Sequence, residues 1–295
     1  MSKREIICRN EDDVEIRFSY EEEAEYFLES LEGFTSITNK VATSENTTID
    51  GSTYQGSVTS QRNLVITCSM DNDYQNRRNQ LYKCFKPKAT GTLTFIEDDE
   101  KRVIDYKVEN VDVDEKGVIR YGTLSLICPD PFFKDLEDLT VTMAGWEADF
   151  EFEHEFLSDE EGGEELGHRS AEITKVIEND SAADNIGIRV DIEATGAVVN
   201  PAVYHQEQGE HIRIGTDANP FTMQSGDILR ITTGTNEKDV VLVRGETKTS
   251  VNEYLDEESE FIQLVHGPNT ITYAADAGRD YMNVTIIYRY RYLGV

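Results

Sequence analysis

Apolar and polar residues alternate with a period of two along much of the chain, and three stretches show it without interruption. In Ala148-Asp149-Phe150-Glu151-Phe152-Glu153 the apolar residues point one way and the carboxylates the other. Ile186, Ile188, Val190 and Ile192 alternate with Gly187, Arg189, Asp191 and Glu193. Near the end, Val284, Ile286, Tyr288, Tyr290 and Tyr292 are predicted to share one face, with Arg289 and Arg291 on the other. Such runs read as strands with one face on a core and one in water or against a partner. Further strands are expected at 92–96, 103–108, 118–128, 228–232, 239–243, 261–265 and 270–273, punctuated by Gly, Asn, Asp or Pro. The overall pattern is that of β-sandwiches.

One helix interrupts it, over roughly 71–85. Tyr74, Leu81 and Phe85 fall on one face, Asp71 or Asp73 is placed to cap the start, and Lys86-Pro87 stops the helix. A second segment, Glu21 to Leu31, is compatible with a helix, although Tyr26-Phe27-Leu28 reads equally as a strand. The domain boundary is expected near 140–147, between Cys128-Pro129-Asp130-Pro131-Phe132-Phe133, which closes one domain, and the strand at 147–156, which opens the next. The expected fold is all-β with one or two short helices, in two domains, 1–143 and 144–295.

Charge narrows the function. Asp and Glu total 58 against 28 Lys and Arg, a formal net charge of −30. Long-range repulsion then disfavours nucleic acid and anionic membranes as partners. Positions 147–165 carry ten of the acids and no base, which reads as a solvated, Gly-containing loop. The start, MSKREIICRNEDD, lacks the apolar core of a signal peptide, and no apolar run approaches a membrane span, so synthesis and retention in a cytoplasm are expected.

Candidate chemistry adds little. Cys8, Cys68, Cys84 and Cys128 show no C-x-x-C spacing and are expected as buried thiols. His154 and His168 flank the acidic loop, where a His/carboxylate metal site is conceivable but exposed histidines are the ordinary reading; His205 and His211 bracket a Gly turn, and His266 precedes Gly267-Pro268. Asp71-Asn72-Asp73 opens like a calcium loop but meets Arg77 and Arg78 where later ligands belong. No nucleophile elbow, phosphate-binding loop or zinc-protease motif occurs, and with so many acids a pair at glycosidase separation carries no weight. The reading is therefore no enzyme, no catalytic, cofactor-binding or metal residue, and no cofactor.

Ordered local motifs nevertheless resemble a known family. They are Tyr26 to Gly33 (YFLESLEG), Asp50-Gly51, Arg62 to Thr67 (RNLVIT), the helix with Arg77, Arg78 and Leu81, Phe85 to Thr94 (FKPKATGTLT), and Cys128 to Phe133 (CPDPFF). In the second half they are Val198 to Val203 (VVNPAV), Ser225 to Leu229 (SGDIL), Asn252 to Phe261 with Leu255 and Ser259, and Leu264 to Ile271 (LVHGPNTI). In that order they resemble the distal tail proteins of siphoviruses. The resemblance implies a sandwich-like N-terminal ring domain and a galectin-like C-terminal sandwich. It further implies a homohexameric ring at the distal end of the virion tail, assembled in the host bacterial cytoplasm. Such a ring joins the tail tube protein to tail-tip and receptor-binding proteins, and DNA passes through its lumen. A carbohydrate-binding adhesion module is the alternative. With Trp146 the lone tryptophan, placed at the domain junction, no measurable binding to common glycans is expected. Locally, Gly33, Gly51 and Gly91 are expected to permit turns, Pro87 and Pro201 to fix chain direction, and Arg62 to be exposed or to form an ion pair across a subunit boundary.

Overall fold

Strand alternation builds nearly everything in the computed structural model, which describes residues 4–45, 50–70, 73–114, 119–148, 167–171, 173–181, 183, 185–235 and 237–295. Of 144–148 and 167–171 only the backbone is described. The chain divides into two compact units, Met1–Glu137 with Arg291–Val295, and Asp138–Tyr290. The division falls slightly ahead of 143/144, and the terminal residues return to the first unit.

The first unit contains β1 (Arg4–Asn10), β2 (Glu15–Ser19), β3 (Tyr26–Glu32), β4 (Asn39–Glu45), β5 (Ser52–Thr59), β6 (Arg62–Met70), α1 (Tyr74–Cys84), β7 (Thr90–Glu97), β8 (Glu100–Val113), β9 (Arg120–Cys128) and β10 (Phe133–Asp135). Its main sheet closes on itself. The order β8-β7-β1-β2-β3-β6-β9 returns to β8, because the second half of that long strand pairs with β9. A bulge between Val108 and Asn110 accompanies this pairing, and bulges increase the twist that closure needs. The sheet of this all-β unit is thus closed. Alternate residues fill it: Ile6 and Cys8, Leu64, Ile66 and Cys68, and Leu124, Leu126 and Cys128 are fully buried. The helix buries only Leu81 and Cys84, and Tyr26 Oη donates to its Arg77 carbonyl at 3.0 Å.

Three local expectations change here. The Glu21–Leu31 segment is loop and strand, because β3 pairs with both β2 and β6 and turns Tyr26 and Leu28 inward. Asp73 precedes α1 in a left-handed conformation and makes no side-chain cap; its carboxylate accepts from the Asn76 amide instead. Asp71 lies outside the described residues. Gly33 does turn, at φ +84°, but Gly91 sits inside β7, where an added Cβ would fall 2.3 Å from the Arg9 carbonyl oxygen and 2.5 Å from Tyr106 Oη.

The second unit contains β11 (Leu139–Thr142), β12 (Ala144–Ala148), β13 (Gly167–Ala171), β14 (Thr174–Asn179), β15 (Ile186–Gly187), β16 (Arg189–Ala194), β17 (Val198–Val199), β18 (Ala202–His205), β19 (Glu210–Arg213), β20 (Thr222–Met223), β21 (Asp227–Thr232), β22 (Asp239–Arg244), β23 (Thr247–Ser250), β24 (Gln263–Leu264), β25 (Gly267–Ala274) and β26 (Met282–Tyr288). Sheets of order β11-β26-β16-β21-β22-β23 and β14-β25-β18-β19 contribute their inward residues to one core, which makes a sandwich. Ile186, Ile188, Val190 and Ile192 are all buried in it, as the alternation predicts. The terminal run behaves differently. Val284, Ile286 and Tyr288 are buried, but the strand stops at Tyr288, and β27 (Arg291–Tyr292) pairs with β10 of the first unit. The alternating run beyond Ala148 and the acidic stretch at 149–165 lie outside the described residues.

Candidate assembly surface

Among the described residues the β4–β5 hairpin pairs with no other strand, and nearly all its residues are exposed, including Val41 (58%), Tyr54 (63%) and Val58 (67%). Its two strands carry one Lys and one Glu, Lys40 and Glu45, so they have no net charge on a chain at −30. A lone two-stranded ribbon is marginal in water, which makes this arm a candidate contact surface; by register Val41 and Tyr54 share one face and Val58 lies on the other.

The barrel next to this arm is tied by Arg62, which opens β6 three residues after β5 ends. The period of β6 turns Arg62 to the same side as Leu64, Ile66 and Cys68, and the residue is only 4% exposed. Nε donates to the Pro131 carbonyl at 2.7 Å, Nη1 to those of Gly33 and Phe34 at 2.9 and 3.0 Å, and Nη2 to that of Leu293. The guanidinium carbon also sits 5.0 Å from the centroid of Phe133. Burial pushes its pKa down from the ordinary arginine value, yet arginine keeps its charge at any physiological pH. The expected exposed or intersubunit ion-pairing Arg62 is thus a buried tie between three chain segments. Around it, Arg291 binds Asp130 at 2.5 Å, Tyr292 Oη donates to Asp135 at 3.1 Å, and Arg102 stacks 3.8 Å over the Tyr292 ring.

Two polar anchors set the loops of the second unit. Asp227, in the SGDIL motif, is 2% exposed and takes paired bonds from Arg244 at 2.7 and 2.6 Å, plus the Gln224 amide at 2.8 Å. The Arg244 hydrogen bonds hold its carboxyl below the usual range, against the opposing effect of burial. A carboxylate with a depressed folded pKa stabilises above its unfolded pKa of about 3.9 and loses that contribution as pH falls. Asp227→Asn should therefore cost about 1–2 kcal/mol at neutral pH and flatten the acid limb of the stability curve below about pH 4. Urea titrations across pH check this; parallel acid limbs for both proteins would contradict it.

The second anchor is Asn269 of the LVHGPNTI motif. Its Oδ1 accepts from His205 Nε2 and the Val265 amide, both at 2.8 Å. Its Nδ2 donates to the carbonyls of Val265, Gly267 and Ile177 at 2.9, 2.7 and 3.3 Å. His205 is thus fully buried, and His211 stacks on Tyr204 with centroids 5.6 Å apart. His266 is exposed. His154 and the side chains of His168 and Trp146 lie outside the described residues.

The cysteines are all buried and none is disulfide-bonded. Burial pushes Cys68, Cys84 and Cys128 up to about 12 and Cys8 well above its usual value, which makes them poor nucleophiles. Among the described residues, no group of three His, Cys, Asp or Glu is placed to hold a metal. What the geometry offers is an exposed arm beside a tied barrel.

Each of the two units matches a domain of phage tail components. Residues 17–128 match the phage tail protein RIFT-related domain, and residues 182–292 match the C-terminal domain of the siphovirus-type tail component. The two matches together span most of both units, and the chain belongs to the siphovirus distal tail protein family. In fold it is similar to SPP1 Dit, described as a paradigm of the hub adsorption apparatus in phages infecting Gram-positive bacteria. That likeness has a TM-score of 0.68 at 11% identity over 98% of this chain and 99% of that one. It is also similar to a chain of the phage P2 baseplate in its activated conformation with Ca, with a TM-score of 0.52 at 9% identity over the full length of both. No curated protein shows significant sequence similarity. Both matched families are structural tail components.

Proposed function

We propose that the chain is the hub of the tail tip. Copies join through the first unit into a homohexameric ring at the distal end of the virion tail, after synthesis in the host bacterial cytoplasm. The ring connects the tail tube protein to tail-tip and receptor-binding proteins, and its lumen passes DNA. The supporting observation is the correspondence in fold along nearly the whole chain with a protein described as a hub. The uncharged, uncovered β4–β5 arm agrees with it, since copies that each carry −30 need a neutral place to touch. A closed ring uses a heterologous contact, in which one patch meets a different patch on the next copy.

Negative-stain imaging of the full chain should show six-fold rings. A chain that stays monomeric in light scattering at both low and high salt would exclude the ring.

A further inference from the structure

The cations are unevenly placed. Between Tyr74 and Ile96 stand Arg77, Arg78, Lys83, Lys86 and Lys88 with no acid at all, in a chain where acids outnumber bases 58 to 28. Most of this segment is α1 and the turn that follows it, closed by the Ala89 amide on the Lys86 carbonyl at 3.0 Å. The helix buries only Leu81 and Cys84, so it presents a broad polar face with Tyr82 45% exposed. Tyrosine and arginine are residue types that interfaces enrich, and the lysines here add positive charge around them. Lys86 pairs with Asp12 at 2.5 Å and Glu11 at 3.5 Å, and Asp13 lies in the same turn; Lys83, Lys88 and Lys107, beside the start of β7, are exposed. Cations therefore prevail at this end.

The other end of β7 has the opposite sign. The strand runs from Thr90 to Glu97, eight residues or roughly 26 Å, and turns into β8 through Asp98-Asp99. Glu97 and Glu100 face each other on the last rung, a like-charge pairing that costs a hairpin stability. Arg4 pairs with Glu97 at 2.6 Å and Arg102 with Glu100 at 3.4 Å; Asp98 and Asp99 form the exposed apex with Lys101 exposed beside it, so the acids outnumber the cations here by four to three.

Resting on the ring reading above, we infer that neighbouring copies meet with the lysine end of one first unit against the aspartate apex of the next. Opposite charges at opposite ends of one strand are what a heterologous contact requires. The occupant is a second copy of this chain: the acid that complements the lysine end is present in the same barrel, pointing away from it. On a chain at −30, a contact that sets these two patches together is favoured over one that sets either patch against its own copy.

The test uses the full chain and two charge-reversed variants. Lys83→Glu/Lys88→Glu reverses the basic end. Asp98→Asn/Asp99→Lys reverses the apex and keeps, at the left-handed position 98 (φ +54°), a residue that tolerates it. Far-UV circular dichroism verifies folding. Each variant alone should self-associate about tenfold more weakly than the wild type in sedimentation, with the difference shrinking as salt rises and screens the contact. An equimolar mixture of the two should regain assembly, because each supplies the charge the other now needs. Variants that assemble like the wild type, or a mixture that fails to recover, overturn the contact while leaving the ring standing. A wild type that never assembles removes both. Duplex DNA binding that is lost in the lysine variant, with assembly unchanged, would assign the basic end to nucleic acid and overturn the proposal.

Discussion

Replacing Arg62 with alanine should cost the first unit on the order of 3–5 kcal/mol, because it leaves several buried carbonyls without donors and opens a cavity beside Phe133. Four carbonyl oxygens, of Pro131, Gly33, Phe34 and Leu293, receive the guanidinium. Lysine offers only one ammonium on a flexible stem, so Arg62→Lys should recover only a minor part of the loss. The damage should be directional as well. Val295 N donates to the Phe34 carbonyl at 3.3 Å, so the last residues depend on the same loop that Arg62 holds. Hydrogen exchange at the Val295 amide should be faster in Arg62→Ala than in the wild type. Urea denaturation measures the stability. A loss below about 1 kcal/mol would mean that water replaces the guanidinium, and the tie as drawn here would be wrong.

Much of this architecture is legible in the sequence because period-two alternation is a direct consequence of strand geometry. Ile186 to Ile192 and the family motifs from Arg62 to Phe133 fall on strands, on α1 and on the links between them. The failures have physical causes. Tyr26 to Leu31 contains good helix formers, and only pairing with two neighbouring strands decides for β3. The tyrosines of the last run keep their period beyond Tyr288, yet the chain leaves the sheet there, and no local signal marks a strand that pairs with residues 133–134. Gly91 looks like a turn residue until Tyr106 is placed over it. The anchors were hidden differently. Arg62, Asp227, His205 and Asn269 stand at inward positions of strands whose other inward residues are apolar, so the alternation does contain them. Their flanking turn residues point instead to surface loops, and a polar side chain at an inward position becomes meaningful only once its partners, 60 or more residues away in several cases, are known.

Asn269→Asp should damage the second unit at least as much as Asn269→Ala, although aspartate has the shape of asparagine. The reason lies in the direction of the bonds. The amide nitrogen faces three carbonyl oxygens, of Ile177, Val265 and Gly267, while the amide oxygen faces the Val265 amide and His205 Nε2. These five partners fix the amide orientation. His205 Nδ1 accepts from the Gln208 amide at 3.1 Å, so Nε2 must carry the proton that Asn269 receives. Alanine removes the bonds and leaves buried groups unsatisfied, for a loss of about 2–4 kcal/mol. Aspartate keeps the acceptors but sets a carboxylate oxygen against three carbonyls in a site with no exposure, which adds repulsion or forces burial of a protonated acid. Asn179 supports the same loop through the carbonyls of Leu264 and Val265 at 3.3 and 3.1 Å, so the segment from Leu264 to Asn269 should loosen as a unit. Chemical denaturation ranks the variants, and hydrogen exchange at Val265 reports the loop. Nitrogen-15 shifts of His205 should show the Nε2-protonated neutral ring in the wild type. An Asn269→Asp protein as stable as the wild type, or a His205 protonated at Nδ1 alone, would refute this arrangement.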